Sequence, residues 1–208
     1  KATMAKEKGL EPLATALLAF KMTPLDELYA KYPAQEALTL EEALQGARDI
    51  LAENFSDDAT IREKIRDVGR KRGVITTAVK KEEKDAQKVF EMYYDYTEPL
   101  HAIVPHRILA INRGEKEDVL RVTIAFPIDQ VLRLMYTKWI PATGNSPAIS
   151  IVKEAIEDAF KRLIQPSIER ELRGELTEVA EQQAIHIFSE NLRSLLLQPP
   201  MKNRYVLG

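Results

Sequence analysis

Arginine and lysine cluster in one stretch of the 208-residue chain: Arg62, Lys64, Arg66, Arg70, Lys71, Arg72, Lys80 and Lys81, opposed there only by Glu63 and Asp67. Arg62, Arg66 and Arg70 recur every four residues, which places them on one face of a helix. Clustered cations at that spacing suit phosphate contact, which needs a local patch and not a basic protein overall. Arg62, Arg66, Arg70, Lys71 and Arg72 are therefore the candidate nucleic-acid-binding residues, with Lys80 and Lys81 extending the track. The alternative is a solvated helix face that pairs with the acidic segment just before it, through Glu36, Glu41, Glu42, Asp49, Glu53, Asp57 and Asp58.

No other constellation points to chemistry. There is no cysteine, which excludes disulfides, thiolate metal sites and cysteine catalysis. His101, His106 and His186 are too scattered for a paired metal motif. Glu98 is the only carboxylate placed to join His101 and His106, and a capping or packing role suits His106 better. The eight glycines form no phosphate-cradling loop, and no two carboxylates stand out as an acid–base pair. Neither a catalytic residue, a metal site nor a cofactor is expected. Thirty basic residues against 32 acidic give a net charge of −2, so bulk charge offers no reason for tight nucleic-acid binding. No apolar run approaches the roughly 18 residues of a membrane span, and no signal peptide opens the chain. A cytoplasmic protein without membrane contact is expected.

The elements that must carry the basic stripe read mainly as α-helices. Pro12 opens a short helix through Leu13 and Leu17, and Pro24 and Pro33 bracket another. Thr39 with Glu42 is a capping box ahead of a helix over 40–54. Asp57 and Asp58 cap the basic helix, and Gly73 is expected to end it in the left-handed conformation. Residues 74–79 read as a short strand or extended linker. A polar helix is predicted over 82–94, and another from Pro105 that stops near Gly114. Residues 119–126 form a strand pattern ended by Pro127, so the small β-element is expected near 118–126. One more helix is predicted over 129–136.

Ser146 and Pro147 open the last helical stretch as N-cap and first-turn proline. Pro166 should kink or restart it. From 167 to 197 the pattern predicts one long helix, about 46 Å at 1.5 Å per residue, with Leu176, Val179, Ala180 and Ile187 along one side. The chain opens at Lys1 within a helical pattern and closes on Tyr205, Val206 and Leu207 as if a strand were starting. It is expected to be part of a longer protein, in three parts: 1–145, the long helices 146–198, and a linker and strand at 199–208.

The order of several short motifs resembles the bacterial Tex family of transcription accessory proteins. Lys8-Gly9-Leu10-Glu11-Pro12-Leu13-Ala14 is similar to its KGLEPLA stretch, and Gly46-Ala47-Arg48-Asp49-Ile50-Leu51-Ala52-Glu53 to its GARDIxAE helix. Pro105-His106-Arg107-Ile108-Leu109-Ala110, followed by Asn112-Arg113-Gly114-Glu115, resembles its SHRxLAxxRGE element, with Pro105 where serine is usual. Arg193-Ser194-Leu195-Leu196-Leu197 and Pro199-Pro200, then Val206-Leu207-Gly208, resemble LRxLLLxPP ahead of VLG. The resemblance spans nearly the whole chain.

It implies a mainly α, multi-helical region with a helix-turn-helix-like part, followed in the family by a YqgF (RNase-H-like) domain, helix-hairpin-helix repeats and an OB-fold RNA-binding domain. It further implies a non-catalytic scaffold whose nucleic-acid contacts lie chiefly in those other domains. A protein-interaction scaffold docking on RNA polymerase or the ribosome, without touching nucleic acid, is the competing expectation.

Overall fold

A computed structural model describes residues 1–35 and 37–197. The expected strand at 205–208, the prolines at 199–200 and the acidic Glu36 lie outside these residues. About two thirds of the described residues are helical, as the periodicity requires. The helices are α1 (Ala2–Glu7), α2 (Glu11–Leu17), α3 (Leu25–Lys31), α4 (Leu40–Ser56), α5 (Ala59–Arg72), α6 (Pro105–Lys116), α7 (Ile128–Trp139), α8 (Ala148–Asp158) and α9 (Gln165–Leu196). Strands β1 (Val74–Val79), β2 (Asp95–Pro99) and β3 (Leu120–Ala125) form a small antiparallel sheet in the order β2-β1-β3. The chain divides into two compact units. The first holds Lys1–Ile75, Pro99–His101 and Thr123–Leu172; the second holds Thr76–Glu98, Ala102–Val122 and the chain from Arg173 onward.

In the first unit, α4 is the central helix. Its start follows from the Thr39 capping box: the Thr39 hydroxyl accepts the Glu42 N–H while the Glu42 carboxylate accepts the Thr39 N–H at 2.9 Å. Ala43, Ala47, Ile50, Leu51 and Phe55 form the buried face of α4. They pack with Leu10, Leu13 and Leu17, all of which are fully buried. Each such leucine contributes about 1.5–3 kcal/mol relative to leaving it in water. Phe55 also lies against Trp139 of α7, with ring centroids 4.4 Å apart.

Ser146 opens α8 by accepting the Ala148 N–H at 3.2 Å, and its hydroxyl donates to the Lys21 carbonyl at 2.7 Å. After α8 the chain stays helical through a π-helical turn, Ala159–Ile164, before α9. Pro166 is the physical reason. Its ring would collide with the carbonyl four residues back, and it has no N–H to give. Widening the preceding turn, with the Gln165 N–H reaching the Phe160 carbonyl, accommodates it without ending the helix.

Gly73 departs from expectation. Its φ is −67° and ψ 149°, so the chain leaves α5 straight into β1 and not through a left-handed residue. Glycine is needed for a different reason. A Cβ there would lie 2.3 Å from the Gly69 carbonyl oxygen and 3.0 Å from Leu100 Cδ1.

The second unit corrects one expectation. Residues 82–94 do not form a helix but two short 3₁₀ turns, Glu82–Lys84 and Glu91–Tyr93. Buried Asp85 supplies the alternative: its carboxylate accepts the Val89 and Phe90 N–H groups at 2.8 and 2.7 Å and the Tyr94 hydroxyl at 3.0 Å. Lys88, at φ +53°, completes the turn. α6 ends at Lys116, two residues past Gly114 and near the expected stop, with Gly114 buried inside its last turn where a Cβ would meet Leu120 Cδ1 at 2.6 Å. The glycine permits close packing instead of ending the helix. Strand β2, Asp95-Tyr96-Thr97-Glu98-Pro99, has no alternating aliphatic residues and gave no apolar signal in the sequence.

α9 runs without a chain reversal to Leu196. Leu172 and Ala180 are buried, whereas Val179 and Ile187 are 59% and 50% exposed. The long helix is therefore as expected, but of the four residues named for its apolar side Ala180 is buried, Leu176 is half-buried, and Val179 and Ile187 are exposed.

Candidate nucleic-acid interface

The basic helix α5 is fixed from its first turn, where Asp58 accepts the Ile61 N–H at 2.9 Å. Ile61, Ile65 and Gly69, four residues apart, form its buried edge. That sets Arg62 and Arg66 beside the edge, half-buried, and turns them toward the start of α9. Arg66 donates through Nε and Nη2 to one oxygen of Glu171, at 3.0 and 2.7 Å. Arg62 donates to the other oxygen at 3.1 Å and to the Ser167 hydroxyl at 2.7 Å. The Arg66 side chain, followed by that of Arg62, holds the Glu171 carboxyl below its ordinary value against the opposing effect of burial. The acidic segment preceding α5 does not supply this partner; Glu171, more than a hundred residues later, does.

Arg70 meets Asp67 one turn earlier at 3.3 Å. Arg72 donates to the Gln130 side-chain oxygen at 2.8 Å, a neutral partner that leaves its charge unbalanced. Lys71 is exposed. Five of the candidate residues thus share one helix but not one environment.

Lys80 and Lys81 belong to the second unit, as does Lys84. All three ammonium groups converge on Asp118, at 2.5, 2.7 and 2.7 Å. Asp118 sits at φ +63° in the turn after α6. Hydrogen bonds from Lys80, Lys81 and Lys84 hold its carboxyl far below the ordinary range. Lys84, Asp118 and Glu171 were not singled out in the sequence. Nothing local announces them, because each acid lies at least 34 residues from its cations.

The histidines take no part in a common site. His106 is exposed in the first turn of α6, and His101 and His186 are exposed. Glu98 is engaged by Arg107 at 2.8 Å and by the Tyr96 hydroxyl. Among the described residues no three His, Cys, Asp or Glu side chains lie close enough to hold a metal ion. No helix among them is long and apolar enough to cross a membrane.

Comparison with known proteins gives this arrangement its context. The family described as Tex central region-like matches residues 24–188. Protein YdcI of Bacillus subtilis is 51% identical over 215 residues, covering all of this chain and 29% of that protein. Protein tex of Bordetella pertussis is 32% identical, covering all of this chain and 28% of that protein. The human S1 RNA-binding domain-containing protein 1 is 34% identical, again over the whole chain and 22% of that protein. The chain thus spans less than a third of the length of the relatives it matches. By a family match over most of its residues and by whole-chain similarity to these proteins, the chain belongs to the Tex family of transcription accessory proteins.

Proposed function

We propose that the chain is a non-catalytic helical scaffold within a cytoplasmic, nucleic-acid-associated Tex-like protein, using no cofactor and leaving the principal RNA or DNA contacts to other domains. The partial neutralisation of its basic run carries this reading. Arg62 and Arg66 share Glu171, Arg70 meets Asp67, and Lys80 and Lys81 share Asp118 with Lys84. Phosphate contact by these residues would have to displace a carboxylate first, so the affinity they give is weak and falls steeply with salt. The name of the human relative, which contains an S1 RNA-binding domain, supports placing the main contacts elsewhere. The helix-turn-helix-like part and the YqgF neighbour implied by the motifs belong to this same proposal.

A specific observation favours a second reading, docking on polymerase or the ribosome. Ile185, Phe188, Leu195 and Leu196 of α9 are all more than 60% exposed, and such an apolar surface marks a protein contact. Affinity purification of a full-length family member with and without nuclease separates the two. Nuclease-sensitive recovery of partners supports nucleic-acid association, and nuclease-resistant recovery supports direct docking. The 208-residue chain alone should bind RNA far more weakly than the full-length protein; equal affinity would overturn the scaffold reading.

A further inference from the structure

α5 has a second polar side. While Arg62 and Arg66 turn to Glu171, Thr60 and Lys64 face α7 across a groove of about 490 Å³ in the first unit. Gln130, Arg133 and Lys138 line its other wall, and Ile61 and Leu134 contribute apolar surface. Among the described residues, three cations line the groove and no carboxylate does.

The balance of charge is the decisive point. Lys138 is paired with Asp58 at one end. Lys64 and Arg133 are exposed and make no ion pair among the described residues. Arg72 extends the cationic side, since it donates to Gln130, a neutral lining residue, at 2.8 Å. This is the reverse of the Arg62–Arg66 face, where a carboxylate already occupies the guanidinium donors.

We propose that the groove between α5 and α7 binds the phosphodiester backbone of a nucleic acid, with Lys64, Arg133 and Arg72 as the phosphate contacts. The proposal rests on the nucleic-acid association put forward above and names the surface for it. Donor chemistry selects the partner. Lys64, Arg133 and Thr60 offer hydrogen-bond donors; the Gln130 oxygen is taken by Arg72, and the Thr137 hydroxyl donates to the Arg133 carbonyl. A phosphate backbone presents acceptors only, which this lining satisfies. An acidic peptide would bring an N–H at nearly every residue, and the groove has few acceptors to receive them.

Fluorescence polarisation of the 208-residue chain at low salt, with a labelled single-stranded RNA and a duplex DNA, tests the assignment. Lys64→Glu with Arg133→Glu should weaken binding at least about tenfold and flatten the log–log salt dependence by about one to two units. Lys116→Glu with Lys161→Glu, exposed positions elsewhere carrying the same charge change, should have little effect. Lys64→Gln with Arg133→Gln, which adds no negative charge, should give an intermediate loss and guards against misfolding of the reversal variant. Equal losses in the two reversal pairs would reduce the effect to bulk charge and overturn the proposal. So would absence of binding by the unaltered chain, or preferential binding of a polyglutamate probe. Loss only on Arg66→Glu with Arg70→Glu would move the contact to the opposite face. Nuclease-sensitive association of the full-length protein that survives Lys64→Glu with Arg133→Glu would leave the nucleic-acid reading standing and remove the groove from it.

Discussion

Arg66 and Glu171 meet through two donors on a single carboxylate oxygen, at 3.0 and 2.7 Å, across 105 residues of sequence. The pair ties the basic helix to the first turns of α9. Because both side chains remain partly exposed, at 27% and 36%, Glu171→Gln should cost about 0.5–1 kcal/mol. The folded carboxyl lies below its ordinary value of 4.5. Its contribution is therefore complete above that value and disappears as pH falls through the folded value. Urea unfolding at pH 7 and pH 3 should show a wider gap between wild type and variant at the higher pH. A gap of the same size at both would reject the ion-pair explanation.

Gly73→Ala should destabilise the first unit by about 2 kcal/mol, within the range for overpacking. The obstacle to a Cβ is the Gly69 carbonyl, 2.3 Å away, and backbone cannot move aside as a side-chain end can. The same carbonyl accepts the Gly73 N–H at 2.7 Å, so displacing it also loosens the end of α5. Chemical denaturation gives the midpoint; a shift within error of zero contradicts the close approach.

Gly174→Ala should act in the opposite direction. Among the described residues nothing lies within 4 Å of its would-be Cβ, and the position is inside α9. Alanine there should add about 0.5–1 kcal/mol by helix propensity and by restricting the unfolded chain. Amide hydrogen exchange across 170–180 should slow in the variant, and unchanged or faster exchange would count against a continuous helix at this point.

Tyr94 offers a spectroscopic test of the Asp85 turn. Burial first, and the Asp85 carboxylate second, raise its phenol to about 12. A raised value stabilises the fold fully below the ordinary 10.0 and is lost as pH climbs toward 12. Asp85→Asn removes the charge but not the burial, so the phenol should ionise at lower pH while staying above its ordinary value. Ultraviolet titration reads this directly, and an unmoved midpoint would mean that Asp85 does not control Tyr94.

Much of the helical frame was legible because its signals are local. The Thr39–Glu42 box, the Asp58 cap and the Ser146–Pro147 start each involve atoms within four residues of one another. The segment 82–94 misled for an equally physical reason: its lysines and glutamates favour helix, but one buried carboxylate collects the N–H groups a helix would have used. For the candidate site, spacing revealed the cations and not their partners. Glu171 and Asp118 reach them only through the fold, and Arg133 joins Lys64 only because α7 packs on α5. A basic run read in one dimension therefore could not distinguish an occupied face from an open one.

The π-helical turn at Ala159–Ile164 sets a phase as well as accommodating a proline. It holds one residue more than an α-turn would, so Ile156 before it, Phe160 and Ile164 within it, and Ile168 and Leu172 after it are all buried. Removing one residue from the α-helical stretch that follows, between Ser167 and Arg170, would shorten the helix by only about 1.5 Å, yet rotate the helix beyond it by about 100°. Glu171 would swing away from Arg62 and Arg66, and Leu172 would leave its contact side. Length in this helix is forgiving; angular register is not, and the extra residue in one turn keeps the rows on its two sides aligned.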